Sequence, residues 1–435
     1  MLSQFLFLLC LATGIYFFAR KIREVSSNIH LGRPLQINDR PGDRWKVMAR
    51  VALGQSKMGS RPVAAFFHLL IYVGFVIINI EVLEIIIDGL FGTHRVLSFM
   101  GSFYDFLIAA FEWLALGVLL ACFVFLSRRN IIRLKRMIMP ELKGWPRTDA
   151  NLILVTEILL MSAFLIMNAT DSILQARGAA HYVQAGAFPV SGMLVPFFDG
   201  MSNDALILLE RSCWWFHILG ILAFLNYVPY SKHLHILLAF PNTWYSKLSP
   251  KGQFNNMESV MNEVKLMMDP SAVPAPAAPE GTPQRFGARD VRDLNWKQLM
   301  DAYSCTECGR CTSSCPANLT GKLLSPRKIM MDTRDRVEEL GRQLRIHGPG
   351  HDDGKTLLND YIRPEELWAC TSCNACVEAC PVLIDPLSII IDMRRYLVME
   401  QSAAPAELNG MFTKIENNGA PWQFSPADRM NWTES

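Results

Sequence analysis

The sequence predicts an all-α chain in two parts: a membrane bundle of five transmembrane helices, then a mainly α-helical domain organised by cysteines. Two observations carry this. Nearly all the long apolar runs lie before residue 245, and two copies of one cysteine pattern lie after residue 300. Between them, the Pro/Ala-rich stretch Asp269 to Gly287 (DPSAVPAPAAPEGTPQRFG) has the composition of an extended spacer. The expected boundaries are 1–245 for the membrane part, 246–290 for the linker, 291–400 for the cysteine domain and 401–435 for a C-terminal tail. A chain of 435 residues is long enough for such a division, and an apolar content of 51% does not belong to a uniformly soluble protein.

The cysteine copies read C-T-E-C-G-R-C-T-S-S-C-P from Cys305 and C-T-S-C-N-A-C-V-E-A-C-P from Cys370. Both are C-x2-C-x2-C-x3-C-P, the spacing by which bacterial-type dicluster ferredoxins hold [4Fe-4S] cubes. The first three thiolates of a run grip one cube and the fourth ligates the neighbouring one. The expected ligand sets are therefore Cys305, Cys308, Cys311 and Cys380 for one cube, and Cys370, Cys373, Cys376 and Cys315 for the other. Zinc, the alternative for paired cysteines, wants four ligands with a long spacer between the pairs. The three remaining cysteines, Cys10, Cys122 and Cys213, lie in apolar segments where a small buried hydrophobe is the default. No disulfide framework is implied, so this domain is expected to face a reducing compartment.

Apolar stretches long enough to span a bilayer are expected at residues 2–19 and, approximately, at 62–89, 103–126, 152–169 and 213–240. The first has no basic residue ahead of it and Arg20, Lys21 and Arg23 behind. That order is the reverse of a secretory signal and implies a retained helix with its N-terminus outside. Lysine and arginine crowd the segments from Arg20 to Arg61 and from Arg128 to Arg147. By the positive-inside rule these connections are cytoplasmic. Five spans that start outside end inside, so the cysteine domain is expected in the cytoplasm, on the inner membrane. Beside membrane spans the basic loops need no nucleic-acid partner, and none is expected.

Polar residues inside a span are expensive and tend to be functional. His68 sits two turns into the second span. His217 and His235 lie near opposite ends of the fifth, on one face and about 27 Å apart if that helix is continuous, with Pro229 as the expected kink. His233 falls on the opposite side. His68 and His235 share the cytoplasmic level, as two imidazoles holding a haem iron must. Asn79, Glu81, Glu84 and Asp88, in the outer part of the second span, are candidate acceptors for a quinol proton or simply paired polar groups. Lys232 is read as a partner for a haem propionate or an anchor among headgroups. The segment 347–353 (HGPGHDD) is read as a solvated loop.

The stretches F-F-H-L-L-I-Y-V-G-F around His68 and HILGILAFLNYVPYSKHLH from His217 to His235 resemble the haem-bearing helices of two membrane subunits. One is the cytochrome b (gamma) subunit of respiratory nitrate reductase, the other the membrane subunit of heterodisulfide reductase. The resemblance implies His235 and His68 as ligands of an inner haem b and His217 as a ligand of an outer one. The second histidine that the pattern carries ten residues after the first is Ile78 here, which leaves His217 without its usual partner; His94 could serve only if the chain turns back. The cysteine domain resembles the ferredoxin-type subunit of heterodisulfide reductases. That family commonly works with a separate protein that bears CCG repeats, and no such repeat occurs in these 435 residues.

Together these readings predict an electron-transfer subunit of a quinone-linked oxidoreductase, with quinone or quinol as substrate in the membrane lipid. Its cytoplasmic redox partner would be a CCG-repeat protein or an electron-transfer flavoprotein. No nucleophile constellation or nucleotide-binding glycine motif is present, so no catalytic residue is expected in the chain. The alternative is a membrane-tethered dicluster ferredoxin without haem or quinone chemistry.

Overall fold

Five long helices form the first part: α1 (Leu2–Ile29), α3 (Pro62–Phe91), α4 (Ser102–Asn130), α5 (Trp145–Ala176) and α6 (Asn203–Tyr227), with the short α2 (Pro41–Met48) lying between the first two. The computed structural model describes residues 1–250, 252–269, 271, 285–421 and 425–434. Most of the expected spacer, residues 270 and 272–284, lies outside the described residues. All five spans are apolar enough to cross a membrane, and each is 28 to 32 residues long when the 3-10 turn that closes the fifth at Tyr230 is included. At 1.5 Å per residue that is about 42–48 Å, against a hydrocarbon layer of about 30 Å. The sequence pattern marked the apolar cores of these helices; α1 runs about ten residues further, to Ile29, where Val25 and Ile29 pack into the second part, and α5 extends beyond its expected 152–169 at both ends.

The bundle core lies between α3, α4, α5 and α6, where Ile108, Phe111, Ala115, Phe164 and Ile218 are almost completely buried. α1 joins it from the side through Phe7, whose ring meets Trp214 at 5.6 Å and Trp215 at 6.1 Å. Leu and Phe side chains such as Leu9, Phe75, Leu83, Phe106 and Phe123 stay exposed around the outside. Patches this large are tolerated where lipid covers them.

The fifth span does not continue to residue 240 as one kinked helix. Pro229 lacks the N–H that a helix needs, and after a 3-10 turn (Val228–Tyr230) the backbone of Ser231 is extended, with φ −116° and ψ 156°. Asp149, near the start of α5, fixes the break. It accepts hydrogen bonds from Tyr227 Oη, from Ser231 Oγ at 2.6 Å and from the Lys232 backbone N–H at 3.2 Å. A second 3-10 turn (Lys232–Leu234) leads into α7 (His235–Trp244), which packs on α2. His217 and His235 are therefore not on one helix, and the 27 Å expected from a continuous rise does not apply. His233 is not opposite His235: their ring centroids are 5.5 Å apart.

The cysteine domain is built from α8 (Trp296–Tyr303), α9 (Arg310–Ser314), α10 (Pro326–His347), α11 (Ala375–Ala379) and α12 (Pro386–Met399). Local sequence fixes several starts: Asn295 and Gln298 form a capping box on α8, and Ser325 and Asp385 cap α10 and α12, each followed by proline. The two parts share one apolar core, in which Val25, Ile29, Val228 and Leu234 of the bundle join Leu299, Ile329, Val337 and Ile390 of the cysteine domain. Where α1 meets α10 and α8, Asn28 Nδ2 donates to Tyr303 Oη at 2.9 Å, and Arg345 donates to Asn28 Oδ1 at 2.8 Å.

Candidate functional site

The two cysteine loops have the same backbone. Glu307 and Ser372, at matching positions, are left-handed with φ 53° and 56°, and so are Gly309 and Asn374 with φ 70° and 61°. A short helix follows in each repeat, α9 or α11, and these two helices pack on one another. Gly309 has a further reason to lack a side chain, because a Cβ there would lie 2.4 Å from Arg327 Nη1.

Cys305, Cys308, Cys311 and Cys380 line one small cavity. The fourth cysteine of the second repeat thus stands with the first three of the first. Cys370, Cys376 and Cys315 are close enough to act on one another electrostatically, as are Cys370 and Cys373. Among the described residues no three ligating side chains converge as a single-ion site would require; sulfurs standing around a cavity are the arrangement that a four-iron cube needs. Burial pushes the Cys305 thiol up to about 11 and the Cys380 thiol up to about 12. Thiolate at these positions needs a cationic centre among the sulfurs, which iron supplies. Backbone N–H groups of Ser372 and Ile384 point at Cys370 Sγ (3.4 Å) and Cys380 Sγ (3.3 Å), and such bonds tune a cluster's potential. Cys305 and Cys380 are buried, whereas Cys373 is exposed, so the second site opens to solvent.

On the bundle side, His68 of α3 and His235 of α7 face each other with ring centroids 6.4 Å apart. With metal–nitrogen bonds of about 2 Å, two imidazoles on opposite sides of one iron hold their ring centres roughly 6 Å apart. His68 Nδ1 donates to Gln55 Oε1 at 3.1 Å, and His235 Nδ1 donates to the Lys232 carbonyl at 3.1 Å. Each bond occupies Nδ1 and leaves Nε2 with the free electron pair, as in a metal-ligating histidine whose other nitrogen is anchored. The pair fits a haem iron.

His217 is buried, bonds Leu160 O through Nδ1 at 3.0 Å, and has the Phe164 ring as a neighbour at 6.0 Å. His94 does not reach it. Its Nε2 lies 3.2 Å from Asp171 Oδ1 and its Nδ1 accepts from the Val183 N–H.

That neighbourhood is a buried polar network. Arg95 bonds Asp171 (2.6 Å), Tyr104 (3.1 Å) and Asn168 (3.0 Å). Glu84 accepts from Tyr104 Oη and the Leu97 N–H, and Asp88 accepts from the Arg95 and Val96 N–H groups. Glu84 and Asp88 are therefore committed to structure. Glu81 is buried with Oε2 unpartnered, and Asn79 is exposed on the outside of the bundle. The paired charges Arg95 and Asp171 were not singled out from sequence, because they are 76 residues apart.

Lys232 is neither a headgroup anchor nor free for a propionate. It is buried, with its ammonium paired to Glu307 and bonded to the Pro146 carbonyl at 2.6 Å. Burial pulls its pKa below the ordinary lysine value. In the segment 347–353, Asp353 is not a free solvated carboxylate, since it pairs with Arg336.

Five helices long and apolar enough to cross a membrane, joined to a domain with two cysteine-cage sites, make the layout of a membrane-bound iron-sulfur protein. Residues 304–384 match the family described as the 4Fe-4S dicluster domain, which carries two [4Fe-4S] clusters. The chain is 27% identical over 461 residues to the probable iron-sulfur-binding oxidoreductase FadF of Bacillus subtilis (strain 168), covering 99% of this chain and 61% of that one. It is 27% identical over 427 residues to EtfAB:quinone oxidoreductase of Syntrophomonas wolfei, covering 91% of this chain and 55% of the relative. Over 107 residues the chain is 34% identical to one of the subunits of the ferredoxin/F(420)H(2)-dependent CoB-CoM heterodisulfide reductase of Methanosarcina acetivorans, covering 24% of this chain and 52% of the relative. The resemblance of the cysteine domain to heterodisulfide reductases, read from its motifs, agrees with this. The chain spans about 60% of the length of the first relative and just over half of the second. No solved structure matches.

Proposed function

We propose that this chain passes electrons between the quinone pool and a cytoplasmic redox partner, through two [4Fe-4S] clusters and a haem b held by His68 and His235. The observation that carries the haem is the 6.4 Å separation of those two rings, each anchored at Nδ1. When bound, haem would supply a one-electron centre at the end of the bundle, beside the cluster domain. The chain's residues hold and orient the carriers and exclude water; no side chain performs substrate chemistry. No second imidazole faces His217 among the described residues, so the proposed count is one haem, with His217 standing as an outer-site ligand that lacks a partner. We assign Cys305, Cys308, Cys311 and Cys380 to the cube nearer the bundle and Cys370, Cys373, Cys376 and Cys315 to the outer one, whose exposed Cys373 marks the side where the partner docks.

The partner is proposed to be an electron-transfer flavoprotein, supported by the name of the Syntrophomonas relative, and electrons run from it to quinone. The reading keeps residues 1–245 as a cytochrome b-like membrane domain and 291–400 as the cluster domain. It sets the N-terminus outside the inner membrane and the clusters in the cytoplasm, on the strength of the basic connections at 20–61 and 128–147.

Purified protein tested by the alkaline-pyridine haem spectrum is expected to give b-type bands that vanish in His68→Ala and His235→Ala. Brown cluster absorption with no Soret band would instead identify a membrane-tethered ferredoxin.

A further inference from the structure

Four arginines from different segments meet at the junction: Arg61 before α3, Arg128 in the last turn of α4, Arg136 in the connection to α5, and Arg310 in the first cysteine loop. Their hydrogen bonds go to neutral groups. Arg61 donates to Ser313 Oγ at 2.7 Å, Arg136 to the Cys308 carbonyl at 3.3 Å, and Arg310 to the Lys57 carbonyl at 3.1 Å and Ser60 Oγ at 3.2 Å. Arg128 Nε is buried without a partner. Arg61, Arg310 and Arg128 are all close enough to act electrostatically on Arg136, as is Cys308. Cations crowded in this way call for an anion that the protein's own carboxylates do not provide.

The group lies below the His68–His235 pair. Arg61 stands just before α3 and seven residues ahead of His68, about 10 Å along the helix axis. Arg310 is close enough to act electrostatically on the His68 ring. The cysteine loop itself does not need an arginine there: the matching position in the second repeat, with the same backbone, is Ala375. Lys232, another cation at the junction, is taken by Glu307, and Arg327 by Glu141.

We propose that Arg61, Arg128, Arg136 and Arg310 form a carboxylate-binding site for the propionates of the haem held between His68 and His235, so that the cluster domain itself completes the haem site. This rests on the haem reading above. Guanidinium forks match carboxylates in pairs. Through Arg310 and Arg136, the propionate edge of the ring is brought against the loop that carries Cys308, the side on which electrons must cross to the first cube.

The test is a potentiometric titration of the full-length purified protein, following the haem band and the cluster EPR signals together. Arg310→Ala copies the second repeat and Arg136→Gln keeps the polar shape, so both are expected to fold; the exposed Arg133→Gln serves as a control. Losing a cation beside the propionates favours ferric haem. Each variant is therefore expected to shift the ferric/ferrous equilibrium about tenfold, lowering the midpoint by about 59 mV, with faster haem loss to apomyoglobin, while Arg136→Lys largely restores both. Haem present but unmoved, with only the potential of the Cys305 cube falling, would overturn the site and make the arginines counterions of the cluster. Haem unmoved with tightly bound phospholipid lost would overturn it in favour of a lipid phosphate. Unaltered protein without any haem would fail the haem reading itself, a different result from either.

Discussion

Lys232 and Glu307 form a buried ion pair across the junction of the two parts, and each is one step from a proposed cofactor. The Lys232 carbonyl accepts the Nδ1 proton of His235, and Glu307 lies between Cys305 and Cys308. Their side chains are 8% and 3% exposed, and Arg334 lies 3.0 Å from the other Glu307 oxygen. Burial works to raise the Glu307 carboxyl, but Arg334 and Lys232 outweigh it and hold its pKa below the ordinary value. One short chain of contacts thus fixes the spacing between the histidine pair and the first cysteine loop.

Glu307→Gln leaves two buried cations facing a neutral amide. Breaking a buried pair from one side costs about 3–5 kcal/mol. Thermal unfolding is expected to show the cysteine domain destabilised by that order, with the EPR signal of the first cube broadened. An unchanged melting profile would mean that the pair is not holding the junction.

Gln55 anchors His68 as Lys232 anchors His235, at 3.1 Å from Nδ1. Loss of such an outer partner weakens metal-site affinity about 10- to 100-fold. Gln55→Leu is therefore expected to release haem faster by about that factor, and Gln55→Glu, which keeps an acceptor, is expected to hold it. Equal release rates for the wild type and Gln55→Leu would count against His68 as an axial ligand.

The crossed fourth cysteine makes a specific claim. Cys380 follows the second repeat yet shares a cavity with Cys305, Cys308 and Cys311. Cys380→Ala should remove the EPR signal of that cube and take the iron content from about eight towards about four per chain, sparing the cube nearer solvent. Cys315→Ala should do the reverse. Should Cys380→Ala remove the solvent-side cube instead, the pairing is uncrossed.

What was legible in the sequence was local. Twelve-residue cysteine runs announce their loops by spacing alone, though not the left-handed backbone at Glu307 and Ser372, and apolar runs of spanning length announce helices whatever surrounds them. His68 and His235 were legible as a pair because both stand near the same end of their spans. What failed depended on distant residues. The break after Tyr227 is fixed by Asp149, 78 residues earlier in sequence, so periodicity through Pro229 suggested a kinked but continuous helix. Lys232 looked like a free cation because Glu307 lies 75 residues away. Arg128 and Arg136 read simply as topology signals, since their convergence with Arg61 and Arg310 exists only in the fold.

The contact between Glu141 and Arg327 makes docking of the cluster domain sensitive to acid. Arg327 is fully buried and holds Glu141 Oε1 at 2.7 Å through Nη2, with Ser325 Oγ donating to the same carboxylate at 2.7 Å. Burial alone would raise the Glu141 carboxyl, but the Arg327 charge and these hydrogen bonds hold it below its ordinary value of 4.5. A carboxylate with a depressed folded pKa contributes stability that is fully present above the unfolded value and is lost as pH falls through the folded one. Between pH 7 and 5 the contact should be unaffected; below about 4.5 it should weaken, exposing Arg327 without its anion. Hydrogen exchange at the start of α10, residues 326–331, is expected to accelerate on acidification past that point. In Glu141→Gln it should already be fast at pH 7 and change little below 4.5, because the titrating group is gone. Acid-induced exchange of equal size in the variant would assign the effect to other carboxylates of the domain, such as Asp290 and Asp353 around Arg336.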